Sequence, residues 1–256
     1  MTQRQVKAAV LLIGDEILSG RTQDINLQAI AKFLAPLGVQ VAEARVVADI
    51  PEDIIEGVNA LRAKYDYVFT TGGIGPTHDD KTADAMAAVF GVRIDVRDDA
   101  RAILEAHYKG ATNLNESRLR MARIPDGASL IANPVSRAPG FQIGNVFVMA
   151  GVPSIVRGML TDIGHRIEGG AVVRSRTIRG RSVREGDIAA DLEALEVATE
   201  GAVSFGSYPW FAPPDSFGLH LVARSADPVA LEKAANDLIA LIRARGVEAE
   251  DVNDAS

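Results

Sequence analysis

Residues Val6–Ile13 form an almost unbroken apolar run that stops at Gly14-Asp15-Glu16. A strand that is apolar on both faces must be covered on both, which is the condition of a strand inside a parallel sheet. The next segments repeat the theme. Asp24 stands where an N-cap would, ahead of a helical stripe of Ile30, Phe33, Leu34 and Leu37, and Gly38 offers a stop. Val39–Val47 reads as a second strand, Pro51 opens a helix running to about Lys64, and Tyr67–Thr71 reads as a third strand feeding a glycine loop over residues 70–80. Thr82–Phe90 then predicts a helix ended by Gly91. This alternation predicts an α/β fold, a mostly parallel sheet with helices on both faces. Ligands of such sheets bind beyond the carboxyl ends of the strands. Residues 14–16 and 71–80 both lie at that edge, so the two loops are expected to share a crevice.

Further along, residues 98–109 predict a helix, and residues 110–139 are less regular, with turns at Asn133-Pro134 and Ala138-Pro139-Gly140. Residues 145–149 predict a strand ending at Ala150-Gly151-Val152-Pro153, with Ser154 placed to cap the helix that follows. The glycines of 164–170 suggest a boundary, dividing the chain into residues 1–168 and 169–256. In the second part, residues 172–178, 202–208 and 218–224 read as strands and 183–196 as a helix. Leu231, Ala234, Ala235, Leu238 and Ile242 line one face of a last helix, completing a small α+β domain. Residues 208–214 hold three aromatics and three prolines between two strands, which suits a contact surface or lid, or equally a loop folded onto its own domain. Residues 248–256 are polar and expected to fray.

Several functions are set aside early. A net charge of −7 lacks the basic face that general nucleic-acid binding needs. With no cysteine there is no thiolate metal site, disulfide or cysteine nucleophile. Residues 1–7 are too short and polar for a signal sequence, and no apolar run approaches the roughly 20 residues of a membrane span. The expectation is a soluble, cytoplasmic protein that binds neither nucleic acid nor membrane. No serine sits in a nucleophile-elbow context and no P-loop lysine follows the glycines, which argues against acyl transfer and Walker-type ATP hydrolysis.

The glycine loop carries the chemistry. Gly72, Gly73 and Gly75 let a ligand approach the backbone, and successive amides with the following helix start form an anion site, to which Thr71 and Thr77 add donors. A tight strand-to-helix turn would have the same glycines. Asp79 and Asp80 sharpen the choice, because two carboxylates beside a phosphate are tolerable when a divalent cation lies between, or when one acts as a base. One of them capping the next helix, with Lys81 neutralising the other, is the plainer alternative. Asp24 can face the ligand edge or simply cap its helix. Glu16 lies at the same edge, and Ser19-Gly20-Arg21 adds donors. Of four scattered histidines only His78 interrupts the loop, and Arg137 is placed to reach a phosphate.

These motifs, in this order, resemble the molybdopterin-binding (MoaB/Mog-like) superfamily, and more closely the N-terminal portion of the CinA proteins. The match is carried by Gly14-Asp15-Glu16-Ile17-Leu18-Ser19-Gly20, Asp24-Ile25-Asn26, the loop from Thr70 to Asp80, and Asn133-Pro134-Val135 through Ala138-Pro139-Gly140-Phe141. Ala150-Gly151-Val152-Pro153 is similar to the family's proline-glycine-valine-proline turn, with Ala150 where proline is usual. Residues after Gly170 look like the KH-like domain of CinA proteins. They lack a GxxG loop with basic neighbours, so the label carries no implication of RNA binding.

The resemblance implies a three-layer α/β domain in a homo-oligomer, a trimer or dimer. It implies that the glycine loop holds a phosphate, of a pterin or of a nucleotide. It places functional carboxylates at Asp80 and Asp24 and metal at Asp79 and Asp80, with further ligand contacts at Glu16, Asn26, Asn133 and Pro153. The leading expectation is a metal-dependent pyrophosphatase acting on ADP-ribose or a related dinucleotide, using magnesium, manganese or cobalt, with potassium as a further ion. The alternatives are a molybdopterin-binding or molybdopterin-adenylylating protein, and a non-catalytic ligand-binding regulatory module. Two departures bear on this. The amidase domain of long CinA proteins does not follow, so deamidase activity is not expected, and Arg137 stands where the family has a small residue.

Overall fold

Alternate residues of β1 (Val6–Ile13) belong to two different cores. Ala9, Leu11 and Ile13 pack with Ile54, Val58, Met86 and Phe141, whereas Ala8, Val10 and Leu12 pack with Ile30, Leu34, Phe147 and Met159. The apolar run is therefore one strand covered on both faces, as its sequence requires. A computed structural model gives this arrangement and describes residues 4–109, 114–214 and 216–252. The chain divides into two compact units, Met1–Ala171 and Val172–Ser256.

In the first unit, β1 is followed by a short α1 (Asp15–Leu18), α2 (Asn26–Leu34), β2 (Val39–Val47), α3 (Pro51–Lys64), β3 (Tyr67–Thr71) and α4 (Thr82–Phe90). Then come β4 (Ile94–Val96), α5 (Asp98–His107), α6 (Glu116–Leu119), β5 (Arg123–Pro125), β6 (Ser129–Ile131), β7 (Gly140–Ile143), β8 (Val146–Met149) and α7 (Pro153–Ile163). The main sheet has the order β2-β1-β3-β8-β7-β6. Its first four strands are parallel, and β7 and β6 add an antiparallel edge. Phe69 of β3 and Phe147 of β8 stack at 5.0 Å between ring centroids, locking the centre of the sheet. The fold is the mostly parallel α/β class, with β4 and β5 as a separate two-stranded pair.

The short strands β4 to β7 escape a sequence reading, because three or four residues are too few to show a period of two. Ser154 does not cap α7. Pro153 opens that helix with Val152 as the capping position, and no side chain accepts there. Residues 110–113, in the stretch expected to be irregular, lie outside the described residues.

The second unit runs β9 (Arg174–Arg181), α8 (Ala189–Ala198), β10 (Ser204–Ala212), β11 (Ser216–Ser225), α9 (Pro228–Arg243) and β12 (Ala249–Asp251). Its antiparallel sheet has the order β10-β11-β9-β12, and Ile178, Leu219 and Leu221 face Leu231, Leu238 and Ile242 of α9 in one core. Three expectations are corrected here. The helix begins at Ala189 rather than 183, because Glu185–Asp187 forms a 3-10 turn first. Residues 208–212 are not a loop: they extend β10, paired with β11 from Tyr208↔His220 to Ala212↔Ser216. Residues 249–251 do not fray, since β12 pairs with β9; residues 253–256 lie outside the described residues. No helix among the described residues is long and apolar enough to cross a membrane.

Candidate functional site

At the carboxyl end of β3 the chain enters the glycine loop with two left-handed residues, Gly72 at φ +102° and Gly73 at φ +67°. A Cβ on Gly72 would lie 2.1 Å from the Ile13 carbonyl oxygen, and one on Gly73 would lie 2.2 Å from Thr82 Oγ1. Glycine is thus required twice, by conformation and by space. The turn is pinned from both sides. Gly72 N–H donates to the Met149 carbonyl at 3.1 Å, Thr82 Oγ1 donates to the Gly72 carbonyl at 2.9 Å, and Thr82 N–H donates to the Gly73 carbonyl at 3.0 Å. What remains is a pair of consecutive amides, Gly73 and Ile74, with no partner among the described residues.

Asp80 closes the loop. Its carboxylate accepts from Gly75 N–H at 2.6 Å, Thr77 N–H at 2.8 Å and the Thr77 hydroxyl at 2.6 Å. Neither Asp79 nor Asp80 caps α4, whose capping position is Lys81 with no side-chain acceptor. Asp80 turns back instead, and its charge fills the amide nest that an external anion would otherwise take at Gly75 and Thr77. Hydrogen bonding from the Thr77 hydroxyl, then its own backbone amide, holds the Asp79 carboxyl below its usual range, with His78 and Lys81 adding attraction. In the hydrogen-bond geometry the Thr77 hydroxyl donates to Asp80, at 2.6 Å.

The loop forms one wall of a cleft of ≈ 590 Å³ at the carboxyl edge of the sheet. Glu16, Asp49, Asp79 and Asp80 all line it, and among the described residues that line it there is no Lys or Arg. Asp49 carries no motif and escapes recognition from sequence; its mark is position, two residues beyond the end of β2. Burial pushes the Asp49 carboxyl above its usual range, the Asp15 amide opposes this, and the charges of Asp15, Glu16 and Asp79 reinforce it. A second anion entering beside these groups is repelled by about 1–4 kcal/mol for each charge near 4 Å, depending on how much water remains.

The other predicted residues divide. Pro153 and Asn133 line the cleft, Asn133 as a buried organiser. Its Oδ1 accepts from Val135 and Ser136 N–H, and its Nδ2 donates to Ser136 Oγ and the Ala138 carbonyl. Asp24, Asn26 and Thr71 border a smaller recess of ≈ 50 Å³ that shares Glu16, Gly151 and Pro153 with the cleft. Asn26 donates to the Gly151 carbonyl at 2.7 Å, and its buried Oδ1 has no partner. Asp24 stands one residue before the capping position, Ile25, and accepts from Asn26 and Leu27 N–H at 3.2 and 3.0 Å, so both of its oxygens hold the first amides of α2. Ser19 is exposed, lines neither space and spends its amide on the Asp15 carbonyl. Arg137 and His78 are exposed and outside the lining. Asp24→Asn keeps one of the two accepting oxygens and should cost less than Asp24→Ala, which removes both and should lower stability by about 1 kcal/mol. Thermal denaturation of the two variants measures this.

Among the described residues no group of three or more acidic or histidine side chains converges to cage a metal. The all-oxygen donor set nevertheless fits a hard divalent cation of the magnesium type. Such an ion keeps several waters and is bound by one or two carboxylates together with substrate phosphate. The mutual repulsion around Asp49 is the tension that such a cation relieves.

Residues 9–168 match the family described as a probable molybdopterin binding domain, and residues 173–251 match the one described as FAD synthase, middle domain. A CinA-like protein of Citrifermentans bemidjiense is 34% identical over 246 residues, which are 91% of this chain and 57% of that protein. One from Gemmatimonas aurantiaca is 33% identical over 205 residues, 75% of this chain and 48% of that protein. The chain therefore spans about half the length of these curated relatives. A crystal structure of the protein CinA from Thermoplasma acidophilum, described as of unknown function, is 35% identical. Its TM-score is 0.59, and the match covers 62% of this chain and 96% of that one.

Proposed function

This chain belongs to the probable molybdopterin-binding domain family, among its CinA-like members, and from that premise we propose that it is a metal-dependent pyrophosphatase acting on ADP-ribose or a related dinucleotide-like diphosphate. One observation carries the reading: two unpartnered consecutive amides belong to Gly73 and Ile74, which line a cleft whose charged groups are all carboxylates. Amides attract phosphate and carboxylates repel it, so the pair makes chemical sense when a cation joins them.

In this reading Gly73 and Ile74 N–H donate to a phosphoryl oxygen and set the diphosphate along the loop. Asp79 and Asp80 hold the divalent cation, which when bound supplies charge neutralisation and makes a water more acidic. Asp49, raised by burial, is the carboxyl best matched to take the proton from an attacking water. Water adds to phosphorus, the bridging P–O bond breaks, and ADP-ribose gives AMP and ribose 5-phosphate. Gly72 and Thr82 fix the loop so that these groups stay in register.

A second reading is favoured by the family description alone, a pterin phosphate bound in the same cleft for cofactor assembly. Products separate the two. Incubation with ADP-ribose, FAD and ATP, each with Mg²⁺, Mn²⁺ or Co²⁺, should release AMP from ADP-ribose and none from ATP. Thermal stabilisation by ADP-ribose without any product, whichever metal is present, would instead identify a non-catalytic binding module.

A further inference from the structure

Two arginines stand beside the glycine loop but outside the lining of the acidic cleft. Arg120 and Arg123 line a recess of ≈ 20 Å³ together with Gly73, Ile74, Gly75 and Asp80. The same three loop residues and Asp80 also line the cleft, so the two spaces share one wall. The arginines differ in their partners. Arg123 gives both terminal nitrogens to Asp84, at 2.8 and 2.6 Å, and is neutralised. Arg120 has no carboxylate partner among the described residues; its Nη2 reaches only the Asp80 carbonyl at 3.4 Å, and its Nε is buried with no acceptor.

A buried N–H of a cation without an acceptor is expensive, and folded proteins rarely keep one without use for it. The recess has room for a single oxygen-sized atom. Beside it lie the Gly73 and Ile74 amides, the two loop donors that are also unpaired. Three residues that each hold an unsatisfied donor therefore line one small space, and one of them carries a full positive charge. We infer that Arg120 is a phosphate-binding residue, donating from its guanidinium to a phosphoryl oxygen seated on the Gly73–Ile74 amides. The inference rests on the phosphate-bearing ligand of the proposed function and adds to it the cation that the cleft lining lacks. It also separates two roles. The carboxylates would hold the cation, and Arg120 would add a guanidinium donor to the phosphate.

The test is calorimetric titration of the full chain with inorganic pyrophosphate in the presence of Mg²⁺. Arg120→Gln should weaken binding about ten- to a hundredfold, the scale of one charge-assisted hydrogen bond, with the melting temperature little changed. Arg120→Lys keeps the charge without the planar donor fork, so it should recover part of the affinity and the dependence on salt. Should Arg120→Gln fail to fold, the comparison of Arg120→Lys with wild type decides. Unchanged affinity in the folded variants would mean that a water fills the recess, and would overturn the inference. Absence of pyrophosphate binding by the wild type would overturn it too. Binding that depends on Arg120 without AMP release from ADP-ribose would defeat the hydrolytic reading and leave this one standing.

Discussion

Asp80→Asn is expected to lower AMP release from ADP-ribose by at least about a hundredfold, the scale on which one positioned charged group contributes to catalysis. The same substitution should leave the fold intact. The carboxylate accepts three hydrogen bonds, from the amides of Gly75 and Thr77 and from the Thr77 hydroxyl. An asparagine keeps one accepting oxygen for the Gly75 amide, and its NH₂ can donate to the Thr77 hydroxyl. Only the Thr77 amide is left facing a donor, and that residue is exposed, so water takes over. The stability loss should be about 1 kcal/mol, the net value of one such bond. The two readouts separate the roles of Asp80. Melting temperature reports its service to the loop, and product release reports its charge. Wild-type AMP release from the purified, folded variant would leave Asp80 a structural residue and remove it from the proposed chemistry.

Asp80 also shows which part of the site was legible in the sequence. The motif Gly72-Gly73-Ile74-Gly75 marks a loop that needs left-handed backbone, and the structure supplies φ values of +102° and +67° at the first two glycines. The destination of the loop's amides was not legible. Gly72 spends its amide on Met149, which is far off in sequence, and Gly75 and Thr77 spend theirs on Asp80. Of the glycines expected to hold phosphate only Gly73 keeps a free N–H, and Ile74, which has no mark in sequence, keeps another. Asp49 and Arg120 were equally silent. Each reaches the loop through tertiary packing, from the end of β2 and from the turn after α6, and no local pattern encodes that meeting.

The fold divides along the same physical line. β1, β2 and β3 are marked by apolar runs or alternation bounded by turn residues, and their bounds agree with the structure residue for residue; α3 starts at Pro51 as expected and ends near the expected Lys64. The antiparallel edge β7-β6 and the pair β4-β5 have strands of three or four residues, held by partners rather than by their own pattern. The extension of β10 to Ala212 was hidden by Pro209 within it and by Pro213 and Pro214 just after it; proline is a poor strand residue except at an edge, and β10 is an edge strand.

Gly72→Ala should be among the most damaging small substitutions in the first unit, and Gly91→Ala tells why. Both residues have positive φ, +102° for Gly72 and +64° for Gly91. A methyl on Gly91 meets nothing within 4 Å, so its alanine suffers only the left-handed conformation, about 1–2 kcal/mol. A methyl on Gly72 meets the Ile13 carbonyl oxygen at 2.1 Å, and Ile13 is paired with Val47 of β2 directly after Leu12, which is paired with both β2 and β3. The strand cannot withdraw, so the loop must, and withdrawal breaks the bond from Gly72 N–H to Met149. Clash, strain and a lost buried hydrogen bond together should exceed about 3 kcal/mol, with a fall in melting temperature of roughly 6–12 °C for a domain of this size. Gly91→Ala should fall by about a third to two-thirds as much at most. The Gly72 variant should also lose pyrophosphate affinity, since the Gly73 and Ile74 amides move with the loop, whereas the Gly91 variant should keep it. Equal melting temperatures for the two variants would mean that β1 does not fix the loop, and the rigid placement of those two amides would go with it.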